Sequence, residues 1–194
     1  LVRAVQQRLG RPAPVGVRAV CGTRAGGVSV PPYDSLNLGD HVGDDPYAVQ
    51  SNRVRLQRTL KTKAVFLNQV HGTQVLELVS DTPDKIPADA AFTRHTGLAC
   101  SVLVADCLPI LLCDLRGSVV AAVHAGWRGL AGQNGKGILE TTFEAILAIE
   151  LMKHAGYDTK FIAWLGPCIG PEAFEVGAEV VSAFTNGRPQ ASNC

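Results

Sequence analysis

The sequence predicts a single-domain α+β fold, a multilayered arrangement with mixed β-sheets. The centre of the chain carries three short Val/Leu-rich runs in close succession, too tightly spaced for helices between them. Strands alternate with helices only partly along the whole chain, which argues against a regular doubly wound sheet. With 194 residues, 46% hydrophobic and 18% charged, the chain is long and apolar enough for one compact domain and too apolar for disorder. No repeat and no Ser/Gly linker divides it, so residues 1–194 are expected to be one domain.

The elements follow in order. Val17 to Cys21 reads as a strand, and Gly22 to Gly43 as a Gly/Pro-rich loop whose length suits a site. Asp44-Asp45-Pro46 supplies a cap and a first-turn proline for a helix to about Lys61, with Val49, Leu56 and Leu60 near one stripe. Its Arg53, Arg55 and Arg58 are expected in solvent. Ala64 to Leu67 and Thr73 to Val79 read as strands around a bend at His71-Gly72, where the glycine supports a turn or bulge. Cys100 to Val104, Ile110 to Asp114 and Ser118 to His124 are the central strands. A helix over about Gly137 to His154, ended by Gly156, a strand over Lys160 to Leu165 and a helix over Pro171 to Phe184 complete the reading.

A formal charge of +1 gives no field for nucleic acid or an anionic membrane surface, so the expected partner is a small molecule. No apolar run approaches the length of about 18 residues that a membrane span requires, and no basic segment precedes an apolar one at the N-terminus. A cytoplasmic protein is expected. Of the six cysteines, Cys100, Cys113 and Cys168 lie in or beside apolar strand-like segments and read as reduced thiols. Leu1 is not an initiator Met, and Thr185 to Cys194 is polar and patternless; the expectation is a chain that is incomplete or frayed at its C-terminus.

Common motifs are missing. Gly129 to Gly137 has the wrong spacing for a phosphate loop, and there is no G-x-G-x-x-G, G-x-S-x-G, H-E-x-x-H or C-x-x-C. What remains is a group of strand ends bearing metal-competent side chains: His71 in NQVHG, Cys107 in ADCLP and His124 in VHAGWRG. Two imidazoles and a thiolate suit Zn²⁺, and three protein ligands leave a fourth position open, as in catalytic sites. The spacings of 36 and 17 residues exclude a zinc finger and require the fold to bring the ends together. Taken singly, each is as well read as a core thiol or a hydrogen-bonded histidine. Asp106 fits a general acid or base, a group holding a ligand imidazole, or a plain turn carboxylate. Arg128 suits a phosphate contact or stacking, or the tying of a loop to a carbonyl, while Arg24 and Asn37 are polar handles in the long loop. His41 reads as solvated or as part of a pocket rim; His95 and His154 read as solvent-facing.

Several stretches then coincide with a known family. RAGGVS at Arg24 to Ser29, YDSLNLGDHVGDD at Tyr33 to Asp45, NQVHGTQV at Asn68 to Val75 and ADAA at Ala88 to Ala91 occur in order. ADCLPILL at Ala105 to Leu112, VHAGWRGL at Val123 to Leu130 and WLGPCIGPEAFEVG at Trp164 to Gly177 follow. The sequence resembles the bacterial YfiH-type laccase-domain family, also labelled polyphenol oxidase or purine nucleoside phosphorylase. The resemblance implies a zinc site on His71, Cys107 and His124. It also implies phosphorolysis of adenosine, inosine and methylthioadenosine with purine nucleoside and phosphate as substrates, and deamination of adenosine. Copper-dependent polyphenol oxidation and a peptidoglycan-precursor amidase activity are the alternatives associated with it. Cys107 and Asp106 are then the catalytic candidates, and Arg24, Asn37 and Arg128 the substrate-binding ones. The chain departs from the pattern at Gln133-Asn134-Gly135-Lys136, and the family usually continues past the point where this chain stops.

Chemistry sorts these activities further. A complete multicopper set needs more imidazoles than the five histidines present, and a blue-copper site would need an axial Met, whereas the single Met152 has core spacing on a helix. A non-catalytic zinc-stabilised module is disfavoured by the three-ligand count, because structural zinc is normally four-coordinate.

Overall fold

A computed structural model describes residues 13–133, 135–153 and 160–186, with the side chains of 150–153 outside the description. The elements are α1 (Pro46–Leu60), β1 (Lys63–Phe66), β2 (Val75–Glu77), β3 (Ala90–Thr93), β4 (Leu98–Ser101), β5 (Leu108–Asp114) and β6 (Val120–Ala125). They are followed by α2 (Trp127–Ala131), α3 (Ile138–Lys153), β7 (Phe161–Leu165) and α4 (Ala178–Thr185). Five strands form one sheet in the order β2-β3-β6-β5-β7, parallel between β2 and β3 and antiparallel elsewhere. A separate parallel pair, β1-β4, makes the second sheet. The mixed-sheet α+β expectation is thus what the chain adopts.

Alternation along the strands sets the layers. Phe92, Ile110, Leu112, Ala121 and Val123 face one side of the large sheet and bury against Ile138 and Ile146 of α3. Ala91 faces the opposite side and joins Val65 and Leu67, on and just beyond β1. The other set of β1, Ala64 and Phe66, packs with Leu56 of α1. The order through the molecule is therefore α3, large sheet, small sheet, α1. Among the described residues no helix is long and apolar enough to cross a membrane.

Several expectations are corrected. Val17 to Cys21 pairs with no strand among the described residues; a turn with Val17 N–H on the Pro14 carbonyl starts this segment. β3 escapes the sequence reading because Ala-Ala-Phe-Thr has weak strand character and forms only between two partners, β2 and β6. The last helix begins at Ala178 rather than Pro171, since residues 171–173 make only a turn, with Ala173 N–H on the Gly170 carbonyl. Gly156, His154 and Cys194 lie outside the described residues. Cys168 is exposed in a loop, whereas Cys113 is buried and Cys100 partly so, its thiol pushed up to about 12 by burial. The described cysteines are free thiols.

Arg53 is buried, contrary to expectation. Its guanidinium lies 4.3 Å from the centre of the Phe66 ring, donates from Nε to the Leu38 carbonyl at 2.9 Å and faces Asp40 at 3.4 Å. Beside it, Asn52 is fully buried and makes four hydrogen bonds to the long loop. It accepts from Val28 N–H at 2.9 Å, and its amide donates to Ser29 Oγ, the Ser35 carbonyl and the Asn37 carbonyl at 2.8–3.1 Å. Gly27 is required at the loop's tightest point, where a Cβ would fall 2.0 Å from the Ser35 carbonyl oxygen. The long Gly/Pro loop is thus a folded structure seated on α1.

Replacing Asn52 with Leu strands those donors and acceptors; a loss of about 2–3 kcal/mol in urea unfolding is expected, against little change for exposed Arg58→Ala. Asn37 and then Ser29 hydrogen-bond the Asp44 carboxylate and hold its pKa below the ordinary value. The stability this adds is full above about pH 4 and is lost as the pH falls through the lower folded value. Unfolding midpoints measured from pH 6 to 2 should therefore fall less steeply in Asp44→Asn than in the parent.

Candidate metal centre

The three strand ends do meet. One donor atom each from His71, Cys107 and His124 lies within 4.8 Å of the others, and the two imidazoles sit edge to face with centroids 4.8 Å apart. His124 is the penultimate residue of β6 and pairs with Pro109 of β5, while Cys107 immediately precedes β5. His71 comes from the turn between β1 and β2. Burial is graded from His124, buried, through Cys107 to His71, exposed, so the group opens to solvent on the His71 side.

The His71 turn is shaped by Asp89, which the sequence reading left without a role. This carboxylate is fully buried one residue before β3 and accepts N–H bonds from Val70 (3.2 Å), His71 (2.9 Å) and Gly72 (2.7 Å). Successive N–H groups converge on one anion because His71 takes a left-handed conformation, φ +58°. The bend is therefore made by the histidine itself and not by Gly72 as expected.

Asp89 also reaches His124, with Oδ1 2.8 Å from Nδ1. A carboxylate acceptor places the proton on Nδ1 and leaves the Nε2 lone pair for the centre. Burial pushes the Asp89 pKa up, but the His124 bond and then the Gly72, His71 and Val70 N–H groups outweigh it, and the carboxyl stays below its ordinary value. This is the orienting role that the sequence reading offered to Asp106. The available signal was a charged residue inside the small-residue run Ala88 to Ala91.

Further contacts seat the other parts. The Gln69 side chain donates to the Leu103 carbonyl at 2.8 Å and accepts its N–H at 2.7 Å, joining the His71 turn to the segment that leads to Cys107. Gly126 faces the three donors: a Cβ there would lie 3.1 Å from Cys107 Sγ and 3.3 Å from His71 Cδ2. Gly129 lets α2 close on the same turn, since its Cβ would meet the Gly72 carbonyl at 2.9 Å. Burial, then His124, lowers the His71 pKa, and the charges of Arg128 and His41 act in the same direction. Burial, then Asp106 and Asp89, raises that of Cys107.

The remaining predicted residues separate into two groups. Asp106 is exposed beside Cys107, and Arg128 is exposed at the start of α2, its guanidinium 4.2 Å from the centre of the Trp127 ring. Arg24 and Asn37 are engaged within the long loop. Arg24 bonds the Asp34 carbonyl at 2.8 Å and is paired with its carboxylate at 3.4 Å, while Asn37 bonds Gly39 and Asp44. His41 and His95 are exposed. The Gln133 to Lys136 departure is a tight turn closed by reciprocal backbone bonds of 3.1 Å.

These features define a mixed α/β protein with a His₂Cys group whose donor chemistry fits a transition-metal ion. A family model described as multi-copper polyphenol oxidoreductase laccase matches residues 18–194. The chain belongs to this family, the laccase-like domain family that includes proteins called YfiH. It is 50% identical over 175 residues to purine nucleoside phosphorylase YfiH of Shigella flexneri, covering 89% of this chain and 67% of that protein. It is 48% identical over 180 residues to a purine nucleoside phosphorylase of Pseudomonas aeruginosa, covering 93% and 69%. Among solved structures, Neisseria meningitidis protein NMB0706 superposes with a TM-score of 0.78 at 45% identity, covering 94% of this chain and 71% of that one. YlmD of Geobacillus stearothermophilus superposes at 0.75 with 30% identity, covering 91% and 67%.

Asp89→Asn keeps the shape but weakens the pull on the His124 Nδ1 proton. A 10–100-fold loss of metal affinity is expected by competition titration with a chromophoric chelator, with the far-UV spectrum retained.

Proposed function

We propose that this chain is a zinc-dependent purine nucleoside phosphorylase that cleaves adenosine, inosine and methylthioadenosine, with deamination of adenosine at the same centre. The observation that carries the reading is the open three-donor group with its tautomer set by Asp89, in a chain whose relatives are named purine nucleoside phosphorylases. His71, Cys107 and His124 would hold the ion. Bound there, Zn²⁺ supplies Lewis acidity at a site that is open on one side.

The chain's own groups account for the rest. Phosphorolysis needs a cation to hold phosphate against the anomeric carbon, where the C–O bond forms as the bond to the purine breaks. Arg128 fits that task, because its charge already reaches His71. Arg24, tied to Asp34, and Asn37, tied to Gly39 and Asp44, would serve by holding the shape of the loop. In deamination Asp106, exposed beside Cys107, would deliver a proton to the departing ammonia. The substrates are small molecules, and the protein is assigned to the cytoplasm on the same reading.

Copper-dependent polyphenol oxidation is the second reading, favoured by the family's description and by ligands that Cu²⁺ also accepts. Five histidines are too few for a mononuclear and a trinuclear copper site together, so such activity would run from one copper at the same donors.

Zinc-loaded protein incubated with adenosine or inosine should release free base and ribose 1-phosphate only when phosphate is present, and should convert adenosine to inosine in either buffer. Chromatography of the products checks both. Cys107→Ala should lose metal and turnover together; full activity in that variant overturns the reading, and oxidation of a phenol by the copper-loaded protein alone would favour the second.

A further inference from the structure

The sheet register places an aromatic side chain beside the metal centre that none of the proposed roles uses. His124 of β6 lies opposite Pro109 of β5, and Pro109 lies opposite Gly166, whose N–H donates to its carbonyl at 2.8 Å. Directly opposed residues in a sheet share a face, as do residues two apart on one strand. His124, Pro109, Gly166 and Trp164 therefore look out on the same side. Strands lie about 4.8 Å apart, so Gly166 is roughly 10 Å from His124, a separation suited to the length of a nucleoside.

Trp164 pairs with Leu111, one step further from the centre, yet its ring leans back along β7 towards it. A Cβ on Gly166 would fall 2.8 Å from Trp164 Cζ3, 2.9 Å from Cη2 and 2.6 Å from Pro109 Cγ. The benzo edge of the indole thus occupies the space that any other residue at 166 would fill. Trp164 is only partly buried and belongs to none of the buried core clusters among the described residues. The other tryptophan, Trp127, already has Arg128 stacked on its ring.

We infer that Trp164, laid flat by Gly166, is the stacking wall for the purine base, with the sugar directed towards His71, Cys107 and His124. This rests on the nucleoside reading and deepens it by assigning the base a subsite. Stacking on an indole tolerates different purines because each presents a π-face, which suits a site that takes adenosine and inosine alike.

The test separates stacking from turnover. In Trp127→Phe protein Trp164 is the only indole, and its fluorescence should be quenched saturably by inosine and by hypoxanthine but not by ribose. Trp164→Leu should raise KM for inosine at least about 10-fold with kcat changed less than threefold and zinc content unchanged, and Trp164→Phe should restore most of the loss. Gly166→Ala should raise KM in the same direction by displacing the ring. An unchanged KM in Trp164→Leu, or equal quenching by ribose, overturns the stacking role while leaving phosphorolysis standing. Saturable quenching by hypoxanthine in a protein that releases no ribose 1-phosphate would support the base subsite and sink the phosphorylase reading.

Discussion

A fully buried carboxylate organises the centre of this protein. Asp89 sits between the sheets with no exposure, where an unpaired charge would be intolerable, and four donors answer it. Three are backbone N–H groups of the turn at residues 70–72, and the fourth is the imidazole of His124. The Asp89 carbonyl also accepts the His124 N–H at 2.7 Å. One side chain therefore fixes the position of one metal-competent histidine and the tautomer of another. The left-handed backbone of His71 is part of the same arrangement, since it is what turns three successive N–H groups inward.

Around that anchor, long-range polar contacts do the work that side-chain packing does elsewhere in the fold. Gln69 mimics a strand partner for Leu103 and so sets the path to Cys107. Asn52 and Arg53, both buried on α1, fold the Gly/Pro loop onto the helix, which brings His41 within electrostatic reach of His71. Glycines at 126 and 129 are needed for space and not for conformation: each lies where a Cβ would press on the donors or on the turn that carries them.

The centre combines a closed side and an open side. His124 is buried and held by Asp89, whereas His71 is exposed and flanked by the charges of Arg128 and His41. A soft thiolate and two imidazoles with space in front of them suit a metal that must also meet a substrate. An anionic co-substrate would meet positive potential on the open side and the aromatic surface of Trp164 further along the sheet. That combination accommodates the phosphorylase names of the relatives more simply than a multicopper chemistry, for which the histidines are too few.

The sequence by itself determined the mixed α/β class, the helix at Pro46–Leu60, the central strands and the three donors. Those features are written in local periodicity, caps and the spacing of metal-competent side chains at strand ends. Tertiary structure alone decided the rest. Ala90–Thr93 becomes a strand only because it is held between β2 and β6, and Arg53 is buried only because Phe66 and Leu38 come from elsewhere to meet it. Asp89 carries no local sign of its partners, which lie 17–19 and 35 residues away. Nor does Trp164 announce that its ring turns towards a site built on other strands. A side chain's local sequence sets what it can donate or accept; which groups it meets is set by the register of the sheet that brings distant segments together.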